Sequence, residues 1–381
     1  MQSFDASARA FVRGEGTMLT DARGRRVYDA VSSIWTTVHG HAHPRIVAAI
    51  SAQAQTLDHA TTLGATNPPA EELARELCRR TGLDYAFFAS DGASAIEAAL
   101  KMALQYWQNI GQPQRTRFVR LVDAYHGDTT GAMSLSDIAP FRARFGAITF
   151  DAVPYDSRSG ALADDVAAVI VEPLVQAAAG MRSVAPERYV GLRERNTLLI
   201  ADEIATGFGR TGTMFACEQL DLAPDLMCVG KGITGGTLAL SATLVRAPIY
   251  DAFLGEAQSL RHFFHGHSYA GNPIACAAAL ASFACFEVEG TIAHVSELRA
   301  HVEQRLAALR SHRHVRETRG VGLMVGVELR ECDAWHVANR LYERGHFTRP
   351  IGNVIQFVPP LSSRIDEIDL FFDALEAELN A

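Results

Sequence analysis

Leu198–Leu199–Ile200–Ala201–Asp202–Glu203 and, further along, Val229–Gly230–Lys231–Gly232 are the two stretches on which the reading of the fold turns. The first is an apolar run that ends in two acids, the pattern of a buried strand. Side chains alternate along a strand, so Asp202 and Glu203 face opposite ways and only one of them serves a site on a given face. The second stretch sets a lysine between two glycines directly after another apolar run, Leu226–Val229. Taken singly, each has an ordinary explanation: a helix cap or an ion pair for the acids, a solvated loop for the lysine. Taken together they put a carboxylate and an amine at the C-terminal ends of two successive strands, where open α/β sheets bind their ligands.

Working outward, Tyr85–Ala89, Arg117–Val122, Ala167–Val171, Thr197–Ala201 and Ala242–Val245 are further short apolar runs. They suit strands covered on both faces of a mainly parallel central sheet. Between them lie helical patterns over His43–His59, over Pro69–Arg80 with a stop at Gly82, and over Ser94–Gln108. Strands alternating with helices predict an α/β fold with helices flanking the sheet. The C-terminal part differs. Val321–Leu329 alternates like a strand with one wet face, and Asp333–Arg344 and Asp366–Leu379 read as amphipathic helices. The organisation expected is a large domain over 45–270, with the N-terminal segment 1–44 joining residues 271–381 in a smaller α+β domain.

An acid and an amine so placed match one cofactor in particular. A carboxylate facing a pyridinium nitrogen, with a lysine to form a Schiff base, is what pyridoxal 5′-phosphate (PLP) needs. The carboxylate keeps the ring nitrogen protonated, and the lysine tethers the aldehyde and then moves a proton. Small neighbours beside Lys231 are expected to leave room for a planar ligand. Ser90–Asp91–Gly92–Ala93–Ser94 precedes a helix expected to start near Ser94, and free amides there suit a phosphate, although an ordinary capped helix start reads the same way. Tyr125–His126–Gly127 follows a strand and offers a flat ring, which would equally fill a core.

Three other motifs lead elsewhere. Gly207–Phe–Gly–Arg–Thr–Gly212 matches the glycine pattern of a dinucleotide site, but residues intervene between it and the strand, and the segment after it is a poor helix. His39–Gly–His41–Ala–His43 resembles a metal motif, but no acid or histidine cluster is placed to complete a zinc site, so no metal is expected. Gly230–Lys231 lacks the upstream glycine and the following Ser or Thr of a P-loop.

Bulk properties narrow the class. The chain has 381 residues with 48% apolar and 20% charged, ordinary globular values that support a sizeable core. A net charge of −8 argues against nucleic acid as a partner, and the basic cluster Arg310–His314 is short. No stretch approaches the roughly 18 unbroken apolar residues that span a bilayer, so no membrane is expected. Residues 1–13 lack the pattern of a signal peptide. Cysteines 78, 217, 228, 276, 285 and 332 form no CxxC pair, and read as reduced thiols of a cytoplasmic protein.

Leu199–Ile–Ala–Asp–Glu–Ile–Ala–Thr–Gly–Phe–Gly–Arg–Thr–Gly212 is a specific signature, and with it the chain resembles the class III aminotransferases of PLP fold type I over nearly its full length. Four further stretches point to the branch that aminates 8-amino-7-oxononanoate in biotin synthesis, usually with S-adenosylmethionine as donor. They are Lys101–Met–Ala–Leu–Gln–Tyr–Trp–Gln108, Tyr125–His–Gly–Asp–Thr–Thr–Gly–Ala–Met–Ser134, Ala223–Leu226 running into Gly230–Thr237, and Arg349–Pro–Ile–Gly352. The resemblance implies that Lys231 is the Schiff-base lysine and Asp202 the partner of the ring nitrogen. It implies that Gly92 and Ala93 bind the phosphate and that Tyr125 lies against the ring. In a homodimer, Gly266, His267 and Ser268 would come from the other subunit. Trp35 would line the substrate pocket and Arg349 would hold the carboxylate of the oxo acid. The chain departs from that branch at Ile34–Trp35, where many relatives have two tryptophans, at Ala93 in place of Ser or Thr, and in a short N-terminus whose sole aromatic before Phe11 is Phe4. These positions bear on the amino donor. A related enzyme for another long amino or oxo acid is the alternative.

Overall fold

The computed structural model describes residues 9–155, 162–192 and 196–381. Residues 1–8, Phe4 included, lie outside the described residues.

Seven strands form the central sheet, in the spatial order Tyr85–Ala89, Ser241–Val245, Leu226–Val229, Leu198–Asp202, Val166–Val171, Arg117–Arg120 and Val153–Pro154. Every strand pair is parallel except those made by Ser241–Val245, which runs antiparallel to both neighbours. The middle strands are buried at every position, as their unbroken apolar composition requires when both faces are covered. The helix Gly92–Asn109 lies against this sheet through Ala95, Ala98, Ala99 and Ala103, small enough for close approach. Trp107 fixes its far end by donating its indole N–H to the Ala167 carbonyl at 2.7 Å.

A second layer of helices packs beside the sheet. Pro68–Thr81 starts at Asn67, whose side chain accepts from the Ala70 amide, and stops at Gly82 in the left-handed conformation that glycine adopts without strain. Pro273–Val288 is apolar nearly all round and is covered by Pro44–Thr56 and Pro68–Thr81. Among the described residues, no single helix is long and apolar enough to cross a membrane.

The two chain ends meet. Phe11–Glu15, Met18–Asp21 and Arg26–Asp29 form an antiparallel ribbon, and His346–Phe347 adds to it in parallel. Val315–Val321, Met324–Leu329 and Val354–Phe357 make a three-stranded antiparallel sheet, with the helices Thr291–Leu309, Ala334–Glu343 and Ile365–Leu379 nearby. The expectation of one half-wet strand over Val321–Leu329 is corrected here. The chain turns at Gly322, and Met324–Leu329 is the central strand of the three, buried at five of its six positions. Its Gly326 lies against the Gly180 carbonyl and the Met181 side chain, so neither face is wet.

Phe357, Phe371 and Phe372 cluster at this end in tilted and edge-on pairs, with Phe357 and Phe371 centroids 4.7 Å apart. Phe371 is 0% exposed, while its neighbour Leu370 is 59% exposed. Phe371→Ala is therefore expected to cost about 3–5 kcal/mol of stability, and Leu370→Ala no more than about 0.5 kcal/mol. Equilibrium denaturant titration of the two variants checks the contrast.

Candidate active site

The parallel pairing of Leu198–Asp202 with Leu226–Val229 sets Asp202 beside Cys228 at the C-terminal edge of the sheet. Three residues on, Lys231 turns off the same edge with φ +46°. The strand's alternation then separates the two acids as expected. Glu203 is fully buried and braces the following loop, accepting from Thr206 Oγ1 at 2.6 Å and from the Cys217 amide at 2.7 Å. Asp202 faces a cavity on the other side. Its Oδ2 lies 2.7 Å from His126 Nδ1, and its Oδ1 accepts from the Ile204 amide at 3.1 Å.

That cavity is about 460 Å³ and is lined by Trp35, Gly92, Ala93, Tyr125, Asp202 and Lys231. Burial lowers the Lys231 ammonium pKa, against the raising influence of the Asp202 and Glu172 charges. The lowered value favours the free, nucleophilic amine. Lys231 Nζ lies 5.2 Å from the Trp35 ring centroid. A second acid, Glu172, ends the strand Val166–Val171 and accepts from the Tyr125 amide at 3.0 Å. Burial, and next the charge on Asp202, push its carboxyl well above the usual range.

The loop Ser90–Ser94 differs in one detail from the sequence expectation. The helix begins at Gly92, not near Ser94, because Asp91 is the cap: its carboxylate accepts from the Ser94 amide at 3.0 Å and the Ser94 hydroxyl at 2.8 Å. The amides of Gly92 and Ala93 belong to the first turn, where a helix offers no internal acceptor. A Cβ at Gly92 would sit 2.9 Å from the Ile204 side chain, so a larger residue there would have to push Ile204 aside. Of the two glycines flanking Lys231, Gly232 is required by packing rather than by the ligand space expected of it. A Cβ at Gly232 would meet Phe208 and Val38 at 3.0 Å, so its smallness serves packing and not ligand space.

Trp35 reaches the cavity from an unusual backbone. Ser32, Ser33, Ile34 and Trp35 all have positive φ, from 47° to 68°. A non-glycine residue in this region costs on the order of 1–3 kcal/mol. The turn is held by Asp29, fully buried, whose carboxylate accepts from the Ser33 amide and hydroxyl, both at 3.2 Å, and pairs with His41 at 2.8 Å. Ser32 adds a bond to the Val358 carbonyl at 2.7 Å.

Four expected site residues are not brought to this cavity within one chain. Gly266 and Ser268 are exposed, and the Ser268 carbonyl accepts from His59 at 2.8 Å. His267 lies 3.5 Å from Ser90 Oγ, on the loop before the phosphate-side helix. Arg349 is exposed, and its carbonyl accepts from the Gln356 side chain. The three histidines of the apparent metal motif diverge: His39 goes to Ser282, His41 to Asp29 and His43 to Glu289. Cys285 Sγ lies 3.5 Å from His43, so this one histidine has an acid and a thiol beside it that the spacing gave no hint of. Gly207–Gly212 forms turns that open no helix.

His126 and Glu172 stand at the site without a place among the residues expected from the sequence. Glu172 carries the same signal as Asp202, an acid closing a fully apolar strand. Gln356, which accepts the Trp35 indole N–H at 2.8 Å, is 321 residues from its partner and has no local signal.

The donor set fits PLP: an amine for the aldehyde, a carboxylate for the ring nitrogen, first-turn amides for the phosphate and an aromatic ring beside them. Comparison with known proteins agrees. The model of the family described as aminotransferase class-III matches residues 3–379. The adenosylmethionine-8-amino-7-oxononanoate aminotransferase of Aquifex aeolicus is 40% identical, covering 96% of this chain and 90% of that protein. The crystal structure of the protein of that name from Methanocaldococcus jannaschii superposes with a TM-score of 0.94 at 37% identity, covering 98% of this chain and 93% of the other. A PLP-bound amine transaminase from an uncultivated Pseudomonas species superposes with a TM-score of 0.91 at 32% identity, covering 100% and 97%. The chain belongs to the class III aminotransferases, and its cofactor is pyridoxal 5′-phosphate.

Proposed function

We propose that the chain transfers an amino group to 8-amino-7-oxononanoate, giving 7,8-diaminononanoate in biotin biosynthesis, with S-adenosylmethionine as donor. The observation that carries this reading is the likeness to the Aquifex aeolicus enzyme, whose name states both compounds, over 96% of this chain. We read residues 45–270 as the cofactor-binding domain, with the two chain ends forming the smaller one.

When bound, the cofactor supplies an aldehyde that takes up the amino group and a protonated ring that accepts electrons released at the donor's carbon. The protein's own groups do the rest. Lys231 would hold the cofactor through Nζ; its freed amine would remove a proton from the donor's amino-bearing carbon in one half-reaction and return one to the acceptor's former carbonyl carbon in the other. Asp202 holds a proton at the ring nitrogen by its charge, and His126 keeps that carboxylate aimed. Gly92 and Ala93 offer first-turn amides to the phosphate, and Tyr125 covers the ring face. Arg349 takes the acceptor's carboxylate, for which a planar guanidinium provides two-point binding. Trp35 and Tyr125 wall its apolar chain.

The remaining residues point to a second copy. Gly266, His267 and Ser268 complete the partner's site in a homodimer, with Ser268 adding a hydroxyl to the phosphate. Phe264, Tyr269 and Leu63 nearby are 71%, 66% and 48% exposed, apolar area suited to an interface.

Asp202→Asn is expected to keep the cofactor and lose about a hundredfold or more in rate, an electrostatic contribution of roughly 3–4 kcal/mol. Glu203→Gln, facing the core, should lower stability more than rate. Steady-state kinetics beside thermal unfolding separates the two. Sedimentation is expected to give a dimer, and Ser268→Ala a weaker cofactor affinity in it; a fully active monomer overturns that arrangement. The function itself is tested by half-reactions. The purified yellow enzyme should bleach with S-adenosylmethionine and recover with 8-amino-7-oxononanoate, Lys231→Ala should do neither, and Arg349→Ala should raise KM for the oxo acid steeply. Bleaching by lysine or simple diamines in place of S-adenosylmethionine overturns the donor assignment.

A further inference from the structure

Two features of the cavity wall belong to no step described so far: the left-handed turn Ser32–Trp35, and a buried amide, Gln356, that lies outside the cavity yet touches its wall. Gln356 is 1% exposed, in the strand Val354–Phe357. Its backbone is fixed on both sides. It pairs with Gly326 across the sheet, and its carbonyl accepts from Thr348 Oγ1 at 2.6 Å. Its side-chain amide is used at both ends. Oε1 accepts the Trp35 indole N–H at 2.8 Å, and Nε2 donates to the Arg349 carbonyl.

We propose that Gln356 is a positioning residue that ties the Trp35 wall to the Arg349 loop, and so sets the length of acceptor the site accepts. The proposal rests on the reading of Arg349 as the carboxylate-binding group. On that reading, the acceptor spans from the reacting centre at Lys231, past Trp35, to Arg349. Trp35 is 7% exposed and close to Lys231, so its ring plane shapes the channel at the reacting end. A tryptophan on a strained turn has its backbone specified by Asp29 and Val358, but the direction of its indole N–H is specified by the Gln356 acceptor. The same amide holds the backbone of the residue that binds the far end. One buried side chain therefore connects the Trp35 wall with the backbone of the Arg349 loop, and a change in either bond relaxes both. A buried amide with both ends satisfied has little freedom to adapt, which is the property a fixed length requires.

The test uses the PLP-loaded dimer. Gln356→Leu keeps the volume and removes both bonds; Gln356→Glu keeps the acceptor for the indole and removes the donor to the Arg349 carbonyl. Expected for Gln356→Leu is a rise of about tenfold in KM for the oxo acid, the size of losing one such bond, with kcat and the donor half-reaction within about twofold. Expected too is a collapse of the kcat/KM preference for the natural acceptor over homologues one methylene shorter or longer. Gln356→Glu should fall between the wild type and Gln356→Leu. Trp35→Phe, which removes the indole N–H and leaves Gln356 in place, should lose the same length preference, so the proposal remains testable if Gln356→Leu folds poorly. A readout independent of turnover is the indole resonance of Trp35, one of three tryptophans, in ¹⁵N-labelled protein. It should shift and exchange faster in Gln356→Leu. An unchanged length preference and indole signal, or donor and acceptor half-reactions that fall together, overturns the proposal. A wild type inert toward 8-amino-7-oxononanoate overturns the acceptor reading instead, and the length series is then run on the oxo acid the wild type does use.

Discussion

A carboxylate taken out of water at the end of a buried strand has to be met by a cation or by hydrogen bonds, and the site is built around meeting Asp202. His126 lies against one oxygen and the Ile204 amide donates to the other, while the Lys231 amine shares its cavity. Each partner comes from a different place in the sheet. His126 follows the strand Arg117–Arg120, and Lys231 follows Leu226–Val229, the neighbour of the strand that Asp202 closes. A parallel sheet delivers all of these groups to one edge because all the strands concerned end there. Glu172, a fourth group on the same edge, is pushed toward its neutral form by burial first and by the Asp202 charge second.

Strained backbone also occurs in and near the cavity wall. Lys231 and Phe208 have positive φ, and so do all of Ser32–Trp35. For Ile34, branched at Cβ, this conformation is a strong outlier. Strain of this kind persists where the surroundings over-determine it. Here the surroundings are Asp29 and His41 on one side and the strand Val354–Phe357 with Val358 on the other. The turn therefore depends on contacts between the first and last parts of the chain, and the sheet that joins the two ends serves the cavity as much as it serves stability.

What was legible in the sequence follows from this geometry. Strands covered on both faces are apolar throughout, so their positions stood out, and an acid closing such a run is conspicuous: Asp202 was found that way. Glu172 had the identical pattern and was passed over. The helix start was misplaced by two residues because Ser94 and Asp91 both resemble caps, and only the structure shows Asp91 accepting from Ser94. Val321–Leu329 reads as half-wet in the sequence because alternation counts residue types along one chain, whereas the covering atoms come from Gly180 and Met181. Contacts such as Trp35 to Gln356 have no local signature at all. Gly266, His267, Ser268 and Arg349 came only from the resemblance, and one chain by itself does not gather them at the cavity.

Ala93 shows how packing constrains the phosphate side. Gly127, at φ +126°, approaches so closely that a Cβ there would lie 2.6 Å from the Ala93 Cβ. The residue after the first glycine of the helix is thus wedged between the helix and the Tyr125–Gly127 loop, the loop that also carries the ring and His126. A methyl group fills that space without a polar atom that would need a partner. The hydroxyl that the resemblance leads one to expect at this position is absent, and on the proposed reading this loop meets the phosphate through backbone amides of the helix N-terminus, which are fixed by the fold and not by a rotamer. On the proposed reading, a cradle of backbone amides stands without that hydroxyl, because its donors stay in place while the Asp91 cap holds the first turn.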